Sequence, residues 1–301
     1  MQNLISCSMA SYCRTMPMES AMRLLRDAGF GGLDFPFSIF SDAGTDPMCR
    51  DDWRQWVREI RAISERLALP VVQAHATWRQ TLADDLRYEP PQEIYFRTLE
   101  ACRMLGCRNL IFHPLRQYAP VDSETMRQKI HDCNVRWFHA LLPAAEENGV
   151  FLNLENTFDS HHVQRPGDGL YPYVTAQDML ALLRDIGSSR VRLCLDTGHA
   201  NIAGQDIPAM VRAFRDELAT LHLNDNYGLI TPVYEDLHLF PGYGRIDWTP
   251  VFAALREIRF AGAYNVEPIA ELRRMPDTVR LIQLRAAADT LRALADENGR
   301  D

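Results

Sequence analysis

Six residues able to bind a metal ion or carry a proton stand at the ends of short apolar or β-branched runs. His75 closes PVVQAH, His113 closes NLIFH, Glu155 closes VFLNLE, Asp196 closes VRLCLD, His222 sits near the end of ATLHL and Glu267 closes AYNVE. Three more donors follow such ends. His199 belongs to DTGH at 196–199, and Asp236 and His238 belong to DLH at 236–238, just before PGYG at 241–244. A lone histidine beside an apolar run is more often a hydrogen-bonded structural residue than a ligand. Nine such residues at or just beyond strand-like ends point instead to a metal site. Imidazoles and carboxylates without spaced thiolates suit Mn, Co, Zn or Mg rather than an iron–sulfur cluster or a four-thiolate zinc.

These residues need elements that bring them together. The runs at 4–7, 32–35, 70–75, 109–113, 150–155, 191–196, 219–223 and 263–267 read as strands. Between them, helical spacing covers 18–28, 52–67, 91–105, 124–148, 176–186, 207–218, 250–258 and 278–297. Gly29, Gly106, Gly149 and Gly187 follow four of these segments, where a helix commonly stops. Strand–helix alternation without a linker predicts an α/β fold, a (β/α)8 TIM barrel in a single domain over 1–301. Two connections, 156–175 and 224–249, exceed the roughly 12–15 residues usual for structureless loops. Both follow strands, which places them on the C-terminal face where barrel enzymes keep their chemistry.

Strand side chains alternate faces. If the terminal donors point inward, so do Gln73, Ile111, Asn153, Cys194, Thr220 and Asn265. Gln73, Asn153, Thr220 and Asn265 are polar where a plain barrel interior favours Val, Ile and Leu. They are expected to orient the donors above them, as metal ligands require.

Of 301 residues, 40 are acidic and 32 are Lys or Arg, a net charge of −8 that argues against a nucleic-acid surface. No stretch approaches the roughly 18 apolar residues of a membrane span. The opening MQNLISCSMASYCR has no secretory pattern. Seven scattered cysteines without CxxC spacing read as free thiols, and the expected location is cytoplasmic. GFGG at 29–32 precedes a strand rather than a helix, so no nucleotide cofactor is expected. His131 and His139 fall within a helix and read as packing residues. His161 and His162, in the first long connection, are in reach of a substrate. Arg79, Arg116 and Arg245 in mouth loops suit either an anionic group or plain surface charge.

VFLNLEN at 150–156, LCLDTGHANI at 193–202, LHLNDN at 221–226, DLHLFPGYGRIDW at 236–248 and NVEP at 265–268 occur in one order along the chain. In these motifs the chain resembles the xylose isomerase-like TIM barrel superfamily over nearly its whole length. The closest likeness is to sugar phosphate isomerase/epimerase-type members, with the endonuclease IV family as a relative. The resemblance implies one divalent metal held by Glu155, Asp196, His222 and Glu267, the two glutamates also exchanging protons with substrate. The endonucleases hold three metals with extra ligands. The matching positions His75, His113, His199, Asp236 and His238 are all occupied here, which makes them additional metal- or substrate-binding candidates.

The expected activity is therefore a metal-dependent sugar or keto-polyol isomerase or epimerase working through an enediolate, with manganese among the suitable ions. Glu155 and Glu267 are the expected proton-transfer residues. His199 is expected to hydrogen-bond the developing oxyanion. Trp78, Tyr171, Tyr173, Tyr227 and Trp248 are expected to line the carbohydrate. The same base and cation would serve a lyase or dehydratase on a keto-sugar or keto-glycoside. An AP endonuclease is a further alternative, disfavoured by the net charge and by Asp159, Asp168, Asp225 and Glu235 in the mouth loops. A non-catalytic partner subunit is disfavoured by the intact donor set. The expected partner is a small carbohydrate, with neither nucleic acid nor membrane; a homo-oligomer is compatible with the sequence.

Overall fold

The computed structural model describes residues 3–13, 15–37, 44–78, 80–116, 121, 123–158, 171–228, 236–268, 272 and 275–296. The apolar runs become eight strands: β1 (Ile5–Ser8), β2 (Gly32–Pro36), β3 (Val71–His75), β4 (Asn109–Phe112), β5 (Phe151–Glu155), β6 (Val191–Asp196), β7 (Leu218–His222) and β8 (Tyr264–Val266). Every ladder is parallel. The strand order is β7-β6-β5-β4-β3-β2-β1-β8. The Leu223 N–H donates to the Asn265 carbonyl at 2.7 Å and brings the two ends of the sheet together. The fold is an α/β TIM barrel.

Among the described residues the helices are α1 (Met18–Asp27), α2 (Trp53–Leu67), α3 (Glu93–Leu105), α4 (Glu124–Asn148), α5 (Ala176–Ile186), α6 (Thr197–Ile202), α7 (Ile207–Phe214), α8 (Trp248–Glu257) and α9 (Asp277–Asp296). Their limits have local causes. Pro90 and Pro91 precede Gln92, which is extended (φ −69, ψ 155), so α3 begins later than its spacing suggests. Ser123 and Thr175 cap α4 and α5 by accepting the Met126 and Asp178 N–H groups. Gly149 ends α4 in the left-handed conformation (φ +66) that favours glycine.

Two segments depart from the sequence reading. The helix expected over 207–218 stops at Phe214, because Arg215 turns to φ +44 and a 3₁₀ turn over Arg215–Glu217 feeds β7. The unexpected α6 starts where the Asp196 carboxylate accepts the His199 N–H at 2.8 Å, which supplies an N-cap directly at a strand end.

The apolar core lies between strands and helices. Leu110, Leu152, Leu154, Leu193, Leu195 and Leu221 on the outward strand faces are all fully buried, as are Phe138 and Leu141 of α4 and Leu25 of α1. Burying each such side chain contributes about 1.5–3 kcal/mol. The inward faces are different: Ser6, Asp34, Gln73, Asn153, Thr220, His222 and Asn265 are buried polar groups. No helix among the described residues is long and apolar enough to cross a membrane.

Candidate active site

His222, the last residue of β7, is the centre of the polar mouth and is fully buried. Its Nδ1 lies 2.9 Å from Glu155 Oε1 at the end of β5. The same atom is 3.8 Å from Asp196 Oδ2 at the end of β6 and 3.7 Å from Glu267 Oε2 just beyond β8. The other ring nitrogen, Nε2, faces Asp34 Oδ2 at 3.1 Å. Asp34 in β2 also accepts from Gln73 Nε2 at 3.1 Å and Asn265 Nδ2 at 3.2 Å. With the ring proton on Nε2 and given to Asp34, the Nδ1 lone pair faces three carboxylates. Lone pair against carboxylate is repulsive unless a cation or proton stands between them.

The same acceptor crowding recurs around this centre. His199 Nδ1 meets the Asn156 carbonyl at 2.8 Å and its Nε2 meets Asp236 Oδ2 at 3.1 Å. His238 meets the Glu267 carbonyl through Nδ1 at 3.0 Å and Asp236 Oδ2 through Nε2 at 2.6 Å. His75 Nε2 is 3.2 Å from Glu155 Oε2 and its Nδ1 is 3.6 Å from Glu267 Oε1. His113 Nε2 approaches Glu155 Oε2 at 3.0 Å. The His75 and His222 rings stack with centroids 5.0 Å apart.

The electrostatics follow from burial set against these neighbours. Burial would raise Glu155, but His113, His222 and His75 hold it well below the usual carboxylate range. Burial likewise opposes, and His222 and His238 impose, a Glu267 value of about 2. Asp236 is held low by His238 and His199 against burial. Burial raises Asp196, with Glu155 and Asp236 adding to it against His199 and His238. Burial disfavours a charged His199, yet Asp196 and Asp236 push it up to about 10. His222 and His238 are pushed well above the ordinary imidazole value against burial, chiefly by Glu155 and Asp236 respectively. His113 goes the other way, because burial outweighs Glu155.

The donor set fits a divalent cation. Among the described residues, the partners of the five carboxylates are imidazoles, carboxamides and backbone N–H groups. Both His75 ring nitrogens and Glu155 Oε2 are buried and meet one another, His113 and Glu267 only in ion-pair contacts that are not well-aligned hydrogen bonds. A cation would satisfy such atoms and offset the clustered negative charge. Asp34 behind His222 is the carboxylate–histidine arrangement that fixes which nitrogen faces a metal.

All nine donors expected from the sequence therefore lie in one mouth. Asp34 is an addition. Its signal was present, since it has the inward parity of the residue beneath a strand end, but Phe35 and Pro36 close that run. Gln73 and Asn265 donate to Asp34, which in turn meets His222, rather than to the donors directly above them. Asn153 instead reaches Asn109 at 3.5 Å, and Thr220 lies beside Cys194 in the ladder. Trp78 is half exposed, with its ring edge-on to His75 and His113 at 5.8 and 5.3 Å between centroids. Tyr227 is also exposed.

Tyr171, Tyr173 and Trp248 are buried instead of open at the mouth. The Trp248 indole N–H goes to Asp225 Oδ2 at 3.0 Å, and Tyr171 lines a small cavity together with Leu115, Val121 and Tyr173. Phe158, not singled out in the sequence, lies against His199 with the rings tilted and centroids 5.0 Å apart. His131 and His139 bond to Asp185 and to the Ile186 carbonyl on the barrel exterior. His161, His162, Arg79, Asp159, Asp168 and Glu235 lie outside the described residues.

Comparison with known proteins places this arrangement. A family model described as xylose isomerase-like TIM barrel matches residues 22–296. The chain is 28% identical over 268 residues to D-psicose 3-epimerase of Enterocloster bolteae, which covers 86% of this chain and 77% of that protein. A crystal structure of D-psicose 3-epimerase in the presence of D-fructose superposes with a TM-score of 0.72 at 16% identity, over 97% of this chain and 99% of that one. The IOLI protein with a binding zinc atom superposes with a TM-score of 0.70 at 15% identity, over 98% of each chain. These two superpositions bear on fold. The relatives by sequence include D-psicose 3-epimerase, L-ribulose 3-epimerase and inosose isomerase.

Proposed function

The chain belongs to the xylose isomerase-like TIM barrel family, and from that premise we propose that it is a divalent-cation-dependent epimerase or isomerase of a ketose or related keto-polyol. One observation carries the reading: three carboxylates from three strand ends converge on His222 Nδ1 while Asp34 occupies Nε2. Glu155, Asp196, His222 and Glu267 are the residues that would hold the cation. When bound, it supplies Lewis-acid polarisation of a substrate carbonyl.

Glu155 and Glu267 carry the protons. Both are held as carboxylates at neutral pH, so either is free to accept a proton. One removes the proton α to the carbonyl; passed on through His75, that proton reaches the other, which returns it at the neighbouring carbon or the opposite face. His75 faces Glu155 with one ring nitrogen and Glu267 with the other, and is placed to accept the proton from one while giving its own ring proton to the other. His199 stands beside Glu155 Oε1 at 3.8 Å and is held protonated; its Nε2–H, given to Asp236 here, is the one a developing oxyanion would have to take over. Trp78 and Tyr227 supply the exposed aromatic surface against which a sugar face can pack.

The test is solvent-deuterium exchange into a panel of ketoses, with Mn²⁺ supplied. Glu155→Gln and Glu267→Gln should each lower exchange by about 10²–10⁴-fold. Exchange retained in both variants sinks the proton-transfer roles. Loss of water or of a glycosidic leaving group among the products would select the lyase alternative on the same residues.

A second reading, a multi-cation phosphodiester hydrolase, is favoured by two further donor groups. In His75, His113 and Glu155, and again in Asp196, His199 and His238, one ligand atom per residue lies within 4.8 Å of the others. Metal stoichiometry separates the two. One tightly held ion per chain supports the isomerase reading. Two or three ions, with salt-dependent binding of abasic DNA, support the hydrolase.

A further inference from the structure

We propose that Asn156 and Asn224 are positioning residues, a pair of buried carboxamides that brace Asp196 and Glu267 at the spacing a cation needs. The inference rests on the cation site proposed above.

The β5–β6 ladder ends at the pair Glu155 and Cys194, two steps short of Asp196, which is paired on its other side with His222. The Asn156 side chain takes over. Its Oδ1 accepts the Asp196 N–H at 2.7 Å, and its Nδ2 donates to the Asp196 carbonyl at 3.0 Å. Both backbone groups of a strand-end ligand are thus satisfied by one carboxamide, beyond the point where the β5–β6 ladder has ended. Asn224 secures the side chain. Its Nδ2 donates to Asp196 Oδ2 at 2.7 Å, and its Oδ1 accepts the Glu267 N–H at 3.1 Å. It therefore ties the end of β6 to the residue after β8, across β7. Neither asparagine is more than 1% exposed.

The choice of a carboxamide has a physical reason. A primary amide can donate to a carboxylate and accept from a peptide N–H at the same time. It does so without charge, so the negative field of Asp196 is left for a cation. An Arg or Lys in the same place would neutralise the ligand it was holding. A neighbouring residue provides the contrast. Asn226 spends its carboxamide on the Gly198 carbonyl at 2.9 Å, on Asn201 Nδ2 at 2.7 Å and on the Gly228 N–H at 2.9 Å. It is equally buried and lies on the same loop, but it builds loop and helix and touches no ligand.

The test is Mn²⁺ titration followed by electron paramagnetic resonance of the free ion, with the melting temperature of the metal-free protein measured alongside. Asn224→Ala and Asn156→Ala should each bind Mn²⁺ about 10–100-fold more weakly than the wild type. Asn226→Ala should lower the melting temperature while keeping Mn²⁺ affinity within about threefold of wild type, because it leaves the ligands braced. If one of the first two variants does not fold, the other carries the test. Unchanged affinity in the folded variants overturns the inference, as does an Asn226→Ala loss as large as theirs. A wild type that itself binds no Mn²⁺ overturns the cation reading and this inference with it, and is told apart by failing before any substitution is made.

Discussion

The outward and inward faces of the same strands are buried to the same degree and obey different rules. Leu193 and Leu195 of β6 face the helices and are fully buried; Cys194 and Asp196, their immediate neighbours, face the barrel axis and are fully buried too. Outside, a side chain needs volume and hydrophobicity, and any of several residues would serve. Inside, each polar atom has a specific partner, and the partner usually sits on a different strand. Burial alone therefore does not separate core from site in this molecule. Accounting for each donor, acceptor and charge does.

The contrast can be broken or sharpened by substitution on the two faces. The largest effect is expected outside. Leu193→Ala should cost about 2–5 kcal/mol of stability by leaving a cavity, yet leave Mn²⁺ affinity of the folded fraction unchanged. Chemical denaturation and metal titration together check this; an affinity that fell with stability would show the two faces to be one unit. Asp34→Asn on the inner face should do the reverse. It weakens the anchor on His222 Nε2 and should lower Mn²⁺ affinity about 10–100-fold, with a smaller change in denaturation midpoint.

A third effect is a dependence on pH confined to the inner face. His199 titrates at about 10 in the folded protein, above its ordinary value near 6.5. Its raised value contributes stability that is fully present below pH about 6.5 and is lost as the pH rises toward 10. His222 and His238 shift in the same direction. The metal-free melting temperature should therefore decline steadily across that window. Mn²⁺ should restore it increasingly at high pH, because the ion competes with protons for the same donors. A flat metal-free profile would break the charge argument. The smallest effect belongs to the outer surface: Arg54→Ala removes an exposed pair with Glu100 at 2.7 Å and should leave the melting temperature unmoved.

Much of this was legible in the chain. The eight strands fall where apolar runs were read, with ends displaced by a residue or so, because burial on two sides leaves a continuous hydrophobic signature. The donors at strand ends were legible as well, since a barrel gathers its C-terminal strand ends at one mouth. Other features were not. Asp34 is hidden one layer below the rim, inside a run that ends in Phe35 and Pro36. Trp248 looks like a mouth aromatic until Asp225 is seen to take its N–H, together with the N–H groups of Asn226, Gly242, Arg245 and Ile246. Helix α6 depends on one carboxylate acting as both strand end and cap.

By itself the sequence determined which residues lie on which face of which element, because period and propensity are local properties of consecutive residues. It also determined the kinds of donor available and hence the class of ion they suit. Only the tertiary structure decided who meets whom. Asp34 bonds to Asn265 across 231 positions and to His222 across 188, and Asn224 reaches both Asp196 and Glu267. Those pairings depend on the register and closure of the ring. No local pattern encodes them, because each partner reads the same in isolation whichever strand it finally faces.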